Sequence, residues 1–462
     1  MRTTRTADNG GWQGKKRTHP VRLRVVSSNP DDGAELAAEL ARERARTRLL
    51  QQRLATKERE LREIHGSSAW AFVSALRTWK LRLLDPLLGV VGVSWPPRAP
   101  LADAGGAEIR PAGAAYDVVC LAICGWDERF QRPQQLMSRF AAAGHRVFFV
   151  RPELRREGPL WSATEKLPNV YEISLRAGRE AEGLDALRGE ASIATAATIV
   201  QMPMGWSLAR QARERFGWPV LYDCMDFHAG FTTVRRSMVA DEGALLAEAD
   251  VVVASSAGLE ARARTKRADV LVVRNGCDYV HFAKTQRAHN ARPVIGYYGA
   301  IADWFDAALV ADLAARRTDW DFVLVGSTYS GDIARLARMP NVTLTGEEPY
   351  ESLPDWLGGF DVAIIPFRRT PLTEATNPVK VYEMLAGGKP VVSVPIPEVA
   401  MLAPMVRLAS TVDDFEREIV AALAEDASAA GERRAFARQH TWEQRFAVLE
   451  GALNRVLSSR GA

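Results

Sequence analysis

From Tyr116 onward the chain alternates short β-branched runs with stretches of helical period, and that alternation leaves few folds open. A first series of runs falls at 117–123, 146–150, 198–202, 220–224, 251–254 and 270–273. A second falls at 294–298, 322–325, 342–345, 362–366 and 391–394. The pattern predicts an α/β protein with two tandem Rossmann-like, doubly wound domains, 116–290 and 291–462, the second closing with an amphipathic helix over 442–457. In such sheets ligands bind beyond the carboxyl ends of the strands, so two facing domains place a crevice between them. With 47% apolar and 25% charged residues in 462, a wholly disordered, collagenous or disulfide-stapled chain is excluded.

The first 115 residues read differently. Residues 1–30 carry seven basic residues against Asp8 alone, a net of +6, so the remainder of a chain at +4 nets −2 and lacks the basicity of a nucleic-acid binder. This segment is expected to be a disordered basic arm. Over 31–65, Leu36, Leu40, Leu50, Leu54, Leu61 and Ile64 step by threes and fours, with Glu43, Thr47 and Lys57 on the same seam. That is either a short coiled coil, able to pair two copies, or a solvated single helix. Residues 66–95 form an amphipathic segment in which Trp70, Val73, Leu76, Leu83 and Leu84 can share a face beside Arg77, Lys80 and Arg82. It suits either an anionic membrane surface or the globular body. Residues 96–115, opened by Pro96, Pro97 and Pro100, read as a linker. No run of 18 apolar residues occurs and the N-terminus lacks a signal-peptide core, so the expected location is the cytoplasm, with peripheral attachment to the inner face of the membrane left open. Cys120, Cys124, Cys224 and Cys277 form no Cys-x-x-Cys pair and are expected as reduced thiols.

The most informative stretch is Thr376-Asn377-Pro378-Val379-Lys380-Val381-Tyr382-Glu383-Met384-Leu385-Ala386-Gly387-Gly388-Lys389-Pro390-Val391-Val392. Asn is a favoured N-cap and Pro a favoured first helical residue, while paired glycines stop a helix, so about three turns are expected from Pro378. The N-terminus of that helix would face the crevice. Its free N–H groups and dipole suit a diphosphate, Lys380 adds a full charge, and Glu383, on the same side, can accept hydrogen bonds from a ribose diol. Arg368, in the loop before it, is a further cation. On the first domain, Gly125 through Gln135 follows the opening strand. There Gly125 allows close backbone approach, and Arg132 can fork onto phosphate. Asp226 lies past the strand at 220–224, where it is either an acceptor-binding carboxylate or base, or a helix cap. His228 reads as a packed residue. There is no G-x-G-x-x-G after Ile123, no P-loop and no His/Asp/Glu cluster at metal-ligand spacing, so neither a dinucleotide cofactor nor an essential metal is expected.

Residues 376–393 resemble the nucleotide-sugar motif of GT-B glycosyltransferases, in particular the family 4-like group that builds bacterial cell-surface polysaccharides. The likeness extends more loosely over 126–150, 221–230, 250–278 and 295–397. It implies a retaining transfer from a nucleotide-sugar donor to a polysaccharide or lipid-linked acceptor. The diphosphate would be held at Asn377, Pro378, Val379 and Lys380, and the ribose at Glu383. Two departures stand out. The slot eight residues before the ribose glutamate is Ala375, with Glu374 displaced by one, either serving through a local bend or leaving the slot empty. The loop Gly299-Ala300-Ile301-Ala302-Asp303-Trp304 lacks the basic pair common after the first strand of the second domain, so Lys380, Arg368 and Arg132 are the candidates to meet the phosphate charge. The rival readings are a noncatalytic scaffold recruited through its coiled coil, which Ala375 favours, and a nucleotide-sugar epimerase, which would need more acidic groups and a His around the sugar.

Overall fold

The computed structural model describes residues 108–231, 236–328 and 333–460. The expected arm, coiled coil, amphipathic segment and residues 96–107 of the linker lie outside the described residues. The rest of that linker, 108–115, runs along the first sheet: Ile109 packs on its core and the Arg110 N–H donates to the Tyr171 hydroxyl at 2.9 Å.

The first lobe runs β1 (Asp117–Leu121), α1 (Arg132–Ala142), β2 (Val147–Val150), β3 (Trp161–Leu167), β4 (Val170–Leu175), α2 (Glu180–Glu190) and β5 (Ala196–Val200). It continues through α3 (Trp206–Phe216), β6 (Val220–Cys224), α4 (Arg236–Glu248), β7 (Val251–Ala254), α5 (Ala257–Ala263) and β8 (Leu271–Val272). The sheet order is β3-β4-β2-β1-β5-β6-β7-β8, parallel throughout except for β3 against β4. Strand β1 sends Val119 and Leu121 into the core on one face and Val118 and Cys120 into the core on the other. That two-residue alternation is what a strand covered by helices on both sides requires. The antiparallel β3–β4 pair is absent from the sequence expectation. Trp161-Ser162-Ala163-Thr164-Glu165-Lys166-Leu167 is an edge strand whose polar residues stay solvated, so it lacks the apolar run that marks its buried neighbours.

The second lobe follows α6 (Tyr279–Phe282) with β9 (Val294–Tyr298), α7 (Ala307–Arg316), β10 (Asp321–Val325), β11 (Val342–Gly346), α8 (Leu353–Gly358), β12 (Val362–Ile365), α9 (Pro371–Glu374) and α10 (Val379–Ala386). After these come β13 (Val391–Ser393), α11 (Pro397–Ala400), β14 (Arg407–Leu408), α12 (Val412–Leu423), α13 (Ala429–Arg438) and α14 (Trp442–Arg460). Its sheet, β11-β10-β9-β12-β13-β14, is wholly parallel. One correction concerns α14, expected with the second domain. Trp442, Leu449 and Leu453 pack on the first sheet with Leu136 and Phe140, and the Phe140 and Phe446 rings meet edge to face at 4.8 Å. The chain thus returns to the first lobe, and loops that follow strands of the two lobes touch, as where Ser256 Oγ donates to the Ala375 carbonyl at 2.6 Å and Arg129 pairs with Glu347 at 3.3 Å.

Candidate functional site

Helix α10 begins at Val379, with Pro378 in extended conformation as its cap and Gly387 at its end. It spans eight residues, about two turns rather than three. Proline's fixed φ is satisfied one position earlier than expected. No side chain caps the first N–H groups of α10, which are left as donors.

Asn377 does not face a phosphate. Its Oδ1 accepts the Asn275 N–H at 2.9 Å, its Nδ2 donates to the Tyr382 hydroxyl at 3.1 Å and to Glu398 Oε2 at 2.8 Å, and its carbonyl accepts Asn275 Nδ2 at 2.5 Å. It ties the lobes together. Glu398, 2% exposed, completes the tie by accepting the Ala257 N–H at the start of α5 at 2.8 Å and Arg274 Nε at 2.8 Å. Nothing in the sequence marks Glu398, because its partners come from three other segments.

Lys380 is half-buried in the first turn of α10, its Nζ 5.2 Å from the centre of the Tyr297 ring and 5.0 Å from that of Phe367. It makes no hydrogen bond or ion pair among the described residues. Burial pushes its pKa down to about 8, Arg129 adds to the fall and Glu383 opposes it. The space is reserved by Gly299, where φ is +129° and a Cβ would lie 2.8 Å from Lys380 Cε. Gly326 is equally constrained, since a Cβ there would sit 1.9 Å from the Gly299 carbonyl oxygen. Glu383, 5% exposed, accepts the Tyr298 hydroxyl on Oε2 at 3.1 Å. Burial raises its pKa to about 7, against the pull of Tyr298 and Lys380.

Several expected residues lie elsewhere. Arg132 is buried beneath the first sheet's edge, paired with Asp223 at 2.7 Å and donating to the Val273 carbonyl at 3.0 Å and Asn275 Oδ1 at 3.1 Å. With its guanidinium consumed there, it is a structural cation and not a phosphate ligand. Glu374 ends α9 on the surface, 44% exposed and paired with Arg369 at 3.1 Å. Ala375 instead packs against Gly258, where a Cβ would lie 3.3 Å from the Ala375 Cα, and its carbonyl accepts Ser256 Oγ at 2.6 Å. No bend brings Glu374 into that slot. Arg368 is exposed and lines a cavity of about 310 Å³ with Asp306, Phe367 and Ser410, and Lys380 is not part of its wall. Gly125 sits against Glu128, Arg151 and Glu172, each 3.3–3.4 Å from where a Cβ would stand, in a charged cluster at the ends of β1 and β2.

Asp226 is half-buried past β6 and has no hydrogen bond among the described residues, and burial beside Asp223 raises its pKa to about 6 while Arg132 restrains the rise. It caps no helix. His228 is packed as expected: 2% exposed, with Nε2 unbonded and its pKa lowered to about 4 by burial and Arg262. Arg129 was not singled out by the sequence, yet it pairs with Glu347 of the second lobe at 3.3 Å. Among the described residues no group of three His, Cys, Asp or Glu can hold a metal, and no helix is long and apolar enough to cross a membrane.

Comparison with known proteins agrees with the fold. Residues 131–276 match the family model of the glycosyl transferase 4-like domain, and residues 292–425 match that of glycosyl transferases group 1. A teichuronic acid biosynthesis glycosyltransferase of Bacillus subtilis, TuaH, is 28% identical over 211 residues, 40% of this chain and 53% of that one, so the match spans about half the relative's length. Among solved structures, sucrose-phosphate synthase from Thermosynechococcus elongatus shares the fold with a TM-score of 0.63 at 16% identity, over 74% of this chain and 100% of that one. Anabaena HepE, solved with UDP and glucose, has a TM-score of 0.54 at 15% identity, over 73% and 99%.

Proposed function

The chain belongs to the family 4-like glycosyltransferases of GT-B fold, and from that premise we propose that it transfers a sugar from a nucleotide-sugar donor to a hydroxyl of a cell-surface polysaccharide or lipid-linked acceptor. The observation that carries the reading is the half-buried Lys380 ammonium, which makes no hydrogen bond or ion pair among the described residues, in the first turn of a helix whose N–H groups are uncapped. A desolvated cation beside a helix N-terminus is poised for a diphosphate, and charge on the departing nucleotide is where fixed donors act most strongly.

In this reading the diphosphate lies over Val379 and Lys380, and the Glu383 carboxylate accepts the ribose hydroxyls through Oε1, which Tyr298 leaves open. Asp226, across the crevice, meets the incoming acceptor hydroxyl. The family likeness supports retention at the sugar carbon. The role of the Bacillus relative in teichuronic acid biosynthesis supports an acceptor of the cell-wall polysaccharide class. Incubating the purified protein with a panel of nucleotide sugars and cell-envelope acceptors, and following nucleoside diphosphate release, tests the reading. Release with one donor, lost in Lys380→Ala, is expected; binding without turnover of any donor would favour a scaffold.

A further inference from the structure

Lys380 supplies a single charge to a diphosphate that carries two, and the loop from Gly299 to Trp304, the nearest segment of the same lobe, contains no Arg or Lys. The structure offers a cation from the opposite side. The loop after β1 and the first turn of α1 reach the second lobe and are fixed there at three points. Arg129 Nε lies 3.3 Å from Glu347 Oε1, the Phe130 ring lies 5.0 Å from the Tyr350 ring, and Gln135 Nε2 donates to the Tyr350 hydroxyl at 2.8 Å. Tyr350 is itself held by His281, which stacks on it at 4.5 Å and bonds its carbonyl at 3.0 Å. These contacts hold the start of α1 against the second lobe, beside β9 and α10.

We propose that Arg129 of the first lobe completes the diphosphate site of the second, replacing the basic residues its own loop lacks, so that the leaving group is fully neutralised only when the lobes are together. This inference rests on the nucleotide-sugar reading above. Arg129 is near enough for its charge to lower the pKa of Lys380 and to act on the buried Tyr297 beside Gly299. Held against the second lobe by its pair with Glu347, Arg129 is a second positive charge acting on Lys380, and a diphosphate received between them relieves that repulsion. The Arg129–Glu347 pair is 34% and 49% exposed, and solvated pairs of that kind are weak enough to exchange for phosphate. The guanidinium fork suits two phosphate oxygens better than an ammonium does. The arrangement also accounts for Arg132, the phosphate ligand suggested by the sequence. Asp223 occupies its guanidinium, and the role passes to the arginine three residues upstream.

The test is a set of full-length variants, Arg129→Gln, Arg129→Lys, Lys380→Ala, the Gln/Ala double variant and Glu347→Gln, compared by donor turnover, calorimetric donor affinity and thermal midpoint. Arg129→Gln is expected to lower kcat by about 10- to 100-fold with a smaller change in KM, the mark of a charge acting mainly on the departing group. Arg129→Lys restores part of that loss, and the double variant loses less than the product of the two single losses. Glu347→Gln tightens donor binding by about two- to fivefold, having removed a competitor for the guanidinium. Because Arg129 is one-third exposed, the thermal midpoint of its variants should stay near that of the wild type. Wild-type turnover matched by Arg129→Gln overturns the inference alone. A wild-type protein that neither binds nor cleaves any nucleotide sugar overturns the underlying reading and the inference with it.

Discussion

At residue scale the site turns on two groups held away from their ordinary ionisation. Glu383 must be ionised to accept ribose hydroxyls and Lys380 protonated to meet phosphate, with pKa values of about 7 and about 8 in the free protein. Affinity for a nucleotide sugar, whose doubly esterified diphosphate does not titrate in this range, should therefore rise as pH passes about 7 and fall as it passes about 8. Calorimetry across that window checks both limbs, and Glu383→Gln should flatten the lower one. The same shift acts on stability. Between the ordinary 4.5 and about 7 the native state holds a proton that the unfolded chain has lost, so Glu383 stabilises fully below 4.5 and that contribution disappears as pH rises through about 7. The ceiling is about 3 kcal/mol, read by denaturant titration against Glu383→Gln. Lys380 and Glu383 were legible in the sequence because three residues on a short helix fix a common side. Which arginine of Arg129 and Arg132 reaches the crevice was not. Gln131 and Gln134 form a reciprocal capping box that starts α1 at Arg132 and directs its side chain to Asp223, a partner 91 residues away.

At the scale of elements, most of the parallel strands were readable as apolar runs such as Val147–Val150, but buried β4 was not, its run being broken by Glu172 and Ser174, and the solvated β3 edge and the return of α14 depend on partners remote in sequence. The same holds for the tie between α5, Asn377 and α11. Glu398 there accepts from a backbone N–H, an amide and a guanidinium while almost wholly buried. Its removal strands the Asn377 amide and the first N–H of α5, so Glu398→Ala should destabilise by about 3 kcal/mol, seen as an earlier denaturation midpoint. Gly299→Ala probes the second lobe in a different way. Its Cβ must displace Lys380 Cε and strain a backbone at φ +129°, so donor affinity should fall even though no charge is altered.

For the whole molecule, residues 103–462 cluster as one compact unit that carries both lobes and every residue given a role in the crevice. Residues 1–95 lie outside the described residues, and we propose from their composition alone that they attach the chain to an anionic membrane surface, where each basic side chain contributes about 1 kcal/mol. The full-length chain should sediment with anionic liposomes, less so at high salt, while a chain shortened to 103–462 keeps donor-dependent activity and stays in the supernatant. Sedimentation of the shortened chain would locate the membrane contact in the lobes instead. Reception of the nucleotide's diphosphate by Lys380 and the uncapped start of α10 can be read from calorimetric titration of nucleoside diphosphate into wild type and Lys380→Ala. Affinity is expected to be about 10- to 100-fold weaker in the variant, a larger loss than for the intact donor, whose phosphates carry less charge. Equal affinities in the two proteins would contradict that placement of the diphosphate.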